Sequence, residues 1–104
     1  MDFMYKTTVE GTGAAITISP MFTPQYIRVI NLDGLCTLEW TSDMGAGKGF
    51  KTLTGINATA DTVSLMSYIS SGGITMDDNG RQFTIGADTD VNVNGETLIV
   101  CCFR

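Results

Sequence analysis

Three short stretches of this chain carry residue types that bind ions. Gly45-Ala46-Gly47-Lys48-Gly49 sets a lysine among glycines, and the backbone N–H groups of such a loop can cradle a phosphate. A nucleotide loop, however, keeps four residues between its glycines and follows Gly-Lys with Ser or Thr at the start of a helix. Here Gly49-Phe50-Lys51 follows and no helical pattern does, so Asp43–Gly49 is expected to be a mobile loop that a neighbouring subunit could order. Asp77-Asp78 and Asp88-x-Asp90 offer carboxylates to calcium, but the alternating ligand loop closed by a glutamate is missing. Asp also bonds to its own backbone in turns, and that is the expected role of these acids.

Catalytic constellations are thin. The chain has no histidine, which removes imidazole bases and His-containing metal sites. No serine sits in a Gly-x-Ser-x-Gly elbow. Glu39 sits beside Trp40, an aromatic that could stack on a sugar; strand alternation sends the two to opposite faces. Cys36, Cys101 and Cys102 lack zinc spacing, and an adjacent pair on a strand is poorly placed to bridge. They are expected to be buried thiols, with a bridge from Cys36 to one of the terminal pair as the alternative. Asn57-Ala58-Thr59 matches a glycosylation acceptor but reads as loop. The expectation is a non-enzymatic protein without cofactor or metal.

The elements that hold these residues are β throughout. The 104 residues fit one domain. Charged residues are 16% against roughly 25% in an average domain, so neutral polar residues must cover much of the surface. Net charge is −5 with six scattered basic residues, which argues against nucleic-acid binding. Neither a secretion signal nor an apolar run long enough to span a bilayer is evident, and a soluble cytosolic product is expected.

Alternation predicts strands over Tyr5–Val9, Ala14–Ser19, Gln25–Asn31 and Leu35–Thr41, with Pro20 and Pro24 at a corner. Asp33-Gly34 signals a two-residue hairpin. Lys51–Leu53 is expected as a short edge strand and Thr54–Asp61 as a polar connection. Thr62–Ile69 reads as a strand broken at Gly72-Gly73 and resumed at Ile74–Met76. Turns follow at Asp78-Asn79-Gly80 and Asn94-Gly95, flanking a strand at Gln82–Ile85 and a loop at Gly86–Asp90. Thr97–Phe103 is unbroken and apolar, as expected of a central strand or subunit contact covered on both faces. About eight short antiparallel strands in one domain, residues 1–104, predict a β-sandwich or jelly roll.

A chain this short buries only about 60–70% of its unfolded surface, so association with copies of itself is expected. Candidate interaction residues are Met44, Gly45, Gly47, Lys48, Phe50 and Phe103, where exposed Met and Phe would be costly unless covered.

Phe22-Thr23-Pro24-Gln25-Tyr26-Ile27-Arg28-Val29-Ile30-Asn31, with Glu39-Trp40 and Met44, resembles the front half of small structural proteins of tailed bacteriophages. Phe83-Thr84-Ile85-Gly86 through Val91-Asn92-Val93-Asn94-Gly95-Glu96-Thr97 resembles their recurring close. The resemblance implies a virion component, a head decoration (cement) protein bound to the major capsid protein, commonly as a trimer. It implies a capsid-surface location after assembly in the bacterial cytoplasm, without membrane or nucleic-acid partners. Tail, tail-fibre or receptor-binding components and a small carbohydrate-binding module using Trp40 are the alternatives.

Overall fold

Residues that alternate apolar and polar every second position have one face to bury, and strands satisfy this by pairing side by side. The computed structural model describes residues 4–56, 62–77 and 80–104, and there the chain forms eight strands. They are β1 (Met4–Glu10), β2 (Ile16–Ile18), β3 (Tyr26–Asn31), β4 (Cys36–Thr41), β5 (Lys48–Ile56), β6 (Thr62–Met76), β7 (Phe83–Ile85) and β8 (Thr97–Phe103). All pairings are antiparallel, and the strands form one sheet in the order β1-β8-β3-β4-β5-β6-β7-β2. The eight-strand, all-β expectation holds. The sandwich-like enclosure comes from a single sheet curled into a half-barrel.

The curl gives the sheet an inner and an outer face. Ile27, Val29, Leu38, Trp40, Val100 and Cys102 point inward from β3, β4 and β8. Ile18, Ile74, Phe83 and Ile85 meet them from β2, β6 and β7. The period-two pattern is clearest in β4, where Cys36, Leu38 and Trp40 are buried and Thr37, Glu39 and Thr41 are half-buried on the other side. β8 is an interior strand, paired with β1 and β3, but it lies second from the sheet edge and only its inner face is fully covered. Its inner residues Leu98, Val100 and Cys102 are buried, whereas Ile99 and Cys101 are half-covered and Phe103 is exposed. The three cysteines are free thiols, Cys36 and Cys102 buried.

Three expectations change. The hairpin at Asp33-Gly34 has a four-residue loop, because Asn31 pairs with Cys36. Asn31 Oδ1 accepts from the Asp33 and Gly34 N–H groups at 2.9 and 2.7 Å, and Leu35, not Gly34, takes the left-handed conformation at φ 53°. β5 is no short edge strand: it runs nine residues between β4 and β6. Asp43–Gly49 is also better anchored than a free loop, for Lys48 and Gly49 already belong to β5 and Gly47 N–H donates to Ile74 C=O at 2.8 Å.

β6 breaks where the sequence suggests. Ile69 lies opposite Gly49, yet the next ladder step pairs Lys48 with Ile74, so Ser70–Gly73 bulge out. The first half of β6 pairs with β5 and the second half with β7. Gly73 lies so close to β5 that a Cβ there would sit 2.2 Å from the Lys48 carbonyl oxygen. The turn Asp78-Asn79 and the segment Asn57–Asp61, with its acceptor motif, lie outside the described residues.

Candidate functional site

The outer face of the sheet is where the chain departs most from an ordinary soluble surface. Because residues directly opposite in a ladder share a face, the register defines rows across the strands. One row runs Met4, Phe103, Tyr26 and Thr41. The next runs Lys6, Cys101, Arg28, Glu39, Phe50 and Tyr68. A third runs Thr8, Ile99, Ile30, Thr37, Thr52 and Met66. Large apolar side chains thus recur on a face that meets solvent, with Met4 62%, Met66 66%, Tyr68 59% and Phe103 40% exposed. Single exposed apolar residues are ordinary, whereas clusters of them mark interaction surfaces, and here Met4 and Phe103 cluster on the β1–β8 side and Met66 and Tyr68 on β6.

Local contacts fix this face. The Tyr26 and Phe103 rings lie 5.7 Å apart, and the Tyr26 hydroxyl donates to Glu39 Oε2. Burial, then the hydrogen bond to Glu39 and its negative charge, push the Tyr26 phenol up to about 12. The face continues over the β3–β4 loop into a shallow apolar groove of about 270 Å³ lined by Ile30, Leu32, Leu35, Cys36, Thr37 and Thr54. Leu32 and Leu35 are 50% and 62% exposed at its rim.

The candidate residues divide between two places. Phe50 and Phe103 lie on the outer face, in neighbouring rows. Met44 instead packs against the core, where a covered position replaces the exposed one expected. Gly45 C=O accepts the indole N–H of Trp40 at 3.4 Å, Gly47 is left-handed at φ 76°, and Lys48 opens β5 half-buried. Alternation does separate Glu39 from Trp40. The Trp40 ring, however, is only 4% exposed, so it offers no platform for a sugar.

The acids do turn work. Asp88 Oδ1 accepts from the Asp90 and Val91 N–H groups at 2.9 and 3.1 Å, and Asp77 Oδ1 accepts from Gly80 N–H at 3.1 Å. Where a cation would sit between Asp88 and Asp90, the Lys51 ammonium binds both, at 3.1 and 2.7 Å. Burial alone would lower the Lys51 pKa, but the hydrogen bonds and charges of Asp90 and Asp88 outweigh it and hold it above the ordinary value. Among the described residues no three His, Cys, Asp or Glu side chains are grouped to hold a metal.

Two asparagines have a structural role that their local sequence does not signal. Asn31 and Asn92 are buried, and their amides tie loops together. Asn92 Oδ1 accepts from Thr12 and Gly13 N–H, while its Nδ2 donates to Ala14 and Gly86 C=O at 2.6 and 2.9 Å. Asn31 Nδ2 donates to Val91 C=O at 3.0 Å and Glu96 Oε1 at 2.9 Å. The Asn31-x-Asp33-Gly34 and Val91-Asn92 contexts look like plain turns, and only the tertiary path brings their partners near.

Burial raises the Cys36 thiol to about 11 and the Cys102 thiol to about 12. These thiols, Tyr26 and Lys51 all hold protons more tightly when folded, so the unfolded chain loses protons first and stability must fall with rising pH. The loss begins near pH 9, where unfolded thiols ionise, and continues through about 12. Each buried thiol is expected to contribute on the order of 3 kcal/mol by the top of that window. Denaturant titrations under reducing conditions between pH 7 and 11 check this; a flat midpoint would contradict it.

No protein-family model, curated protein or solved structure matches the chain.

Proposed function

We propose that this chain is a structural protein of a tailed-phage virion, a decoration or cement protein that lies on the assembled head and braces neighbouring capsid subunits. The observation that carries the reading is the outer face: an apolar and aromatic array on a curved sheet, with Lys6, Arg28 and Glu39 interspersed for orientation. Such a face suits a broad protein surface better than a small molecule, since the groove it continues into is shallow. The phage resemblance supplies the class of partner, the major capsid protein. On a symmetric shell, repeated modest contacts add up through avidity.

Gold labelling of tailed-phage particles assembled with a tagged copy of the chain tests the location. Label over the head is the expected result. Label confined to the tail would assign the chain to tail or fibre instead, and unlabelled particles would overturn the virion reading. The face itself is tested by Phe103→Glu, which adds a charge at the rim of the array without touching the core. Rebinding to stripped heads is expected to weaken at least about 30-fold, the scale of an aromatic hot spot. Its thermal melt should match that of the parent chain.

A further inference from the structure

Among the described residues, part of β6 has an edge without a neighbouring strand. β5 lies on one side of its first half, while β7 reaches only Ile74–Met76. Among the described residues the outer edge of the segment up to Ile69 therefore has no ladder partner. Ser64–Tyr68 are exposed on both faces of this ribbon, including Leu65 at 63%, Met66 at 66% and Tyr68 at 59%. Natural edges are blunted by charge, proline or short length. β1, the other long edge, has Lys6 and Glu10 on its exposed face. β6 has neither charge nor proline in fifteen residues.

We propose that two copies of the chain pair edge to edge through this segment, antiparallel about a two-fold axis at Ser67, to make one continuous sixteen-stranded sheet. With a net charge of −5 on each copy, self-association is favoured along a segment that has no charged side chains of its own, and Thr62–Met76 is such a segment. The pattern is also self-complementary. With Ser67 on the axis, Met66 faces the partner's Tyr68 on the outer face, a sulfur–aromatic contact made twice. Leu65 faces the partner's Ile69 on the inner face, and the shared ladder ends where Ser70–Gly73 bulge out. Moving the axis to Met66 would set Leu65 against serine and Ser64 against Tyr68, losing both kinds of contact.

The size is adequate for a reversible dimer. At about 200 Å² for a large side chain, Leu65, Met66 and Tyr68 present on the order of 400 Å² per copy, about half of the ~800 Å² a partner gives to a standard interface. The strand backbone and flanking serines supply more. A two-fold pair departs from the trimer that the phage resemblance implies, and it is independent of shell binding: rebinding to heads can fail while the dimer forms.

Sedimentation equilibrium of the full chain in reducing buffer, up to about 100 µM to detect a micromolar contact, is expected to show a species of twice 11.2 kDa. The double variant Leu65→Lys/Met66→Lys should weaken dimerisation at least tenfold while keeping the parent's melting temperature, because both side chains are exposed. Ser67→Cys supplies a reading that does not depend on that variant folding. Cysteines facing each other across the axis lie within disulfide reach, so mild oxidation should cross-link most of the chain, well above the parent. A monomer at the highest concentration, a trimer, a dimer indifferent to the double variant, or no cross-linking beyond the parent would each overturn the proposal. A dimer formed only when capsid protein is added would assign the edge to a capsid strand instead and overturn it equally.

Discussion

Gly73→Ala is expected to cost at least about 3 kcal/mol, a large share of the roughly 5–15 kcal/mol that holds a domain of this size. The reason is steric. Gly73 N–H donates to Gly47 C=O at 3.0 Å, and Gly73 C=O accepts from Gly86 N–H at 2.9 Å, so three backbones meet at the bulge. A methyl group at residue 73 would lie 2.2 Å from the Lys48 carbonyl oxygen and 2.5 Å from its carbon. Backbone, unlike the tip of a side chain, cannot move aside without breaking the β5–β6 ladder. Thermal unfolding by circular dichroism should show a midpoint lowered by about 15 °C or more. Gly55→Ala is the control. Among the described residues nothing lies within 4 Å of a Cβ there, and that variant is expected to melt within a few degrees of the parent. Equal melting of both variants would mean that the bulge is not packed as described.

Replacing Asn92 with Ala should be comparably damaging, at about 3–5 kcal/mol. One buried amide satisfies backbone groups from two remote segments, Thr12–Ala14 and Gly86. Removing it strands their donors and acceptors at about 1–3 kcal/mol each when water cannot replace the bond. Asn92→Asp separates hydrogen bonding from packing. It keeps the shape but turns an oxygen toward the Ala14 and Gly86 carbonyls, so it should lose at least as much as Ala. Urea titrations of both variants at neutral pH give the comparison. If Asp were tolerated, the Nδ2 bonds would be unimportant and the junction held by packing alone.

What the sequence makes legible is local. The alternation of Cys36, Leu38 and Trp40 against Thr37, Glu39 and Thr41 is written in the side chains, and so is the break at Gly72-Gly73. β5 was harder because Gly49 and Gly55 look like strand breakers. Gly49 instead fits within the strand, where a Cβ would crowd the buried Leu38 side chain at 2.5 Å from its Cδ1. Asp33-Gly34 marks the place of the β3–β4 loop but not its length, since the Asn31 side chain fixes the turn. The single curled sheet was beyond local reading, because its order depends on β1 finding β8 and β2 finding β7. For the candidate site, Phe50 and Phe103 could be singled out as costly if exposed. The full array needs the register, which puts Met4, Tyr26, Ile99 and Met66 on the same side.

The pairing of residues 4–10 with 97–103 has a consequence for biosynthesis. As the ribosome delivers the chain, the first strand has nowhere to dock until nearly ninety further residues have emerged. Meanwhile the uncharged Thr62–Met76 stretch is already outside, a sticky ribbon in search of hydrogen bonds. Closure of so distant a pair is slow, on the millisecond-to-second scale of β topologies. Yield in cells should therefore respond to chaperone supply and growth temperature more than the finished protein's melting point would suggest.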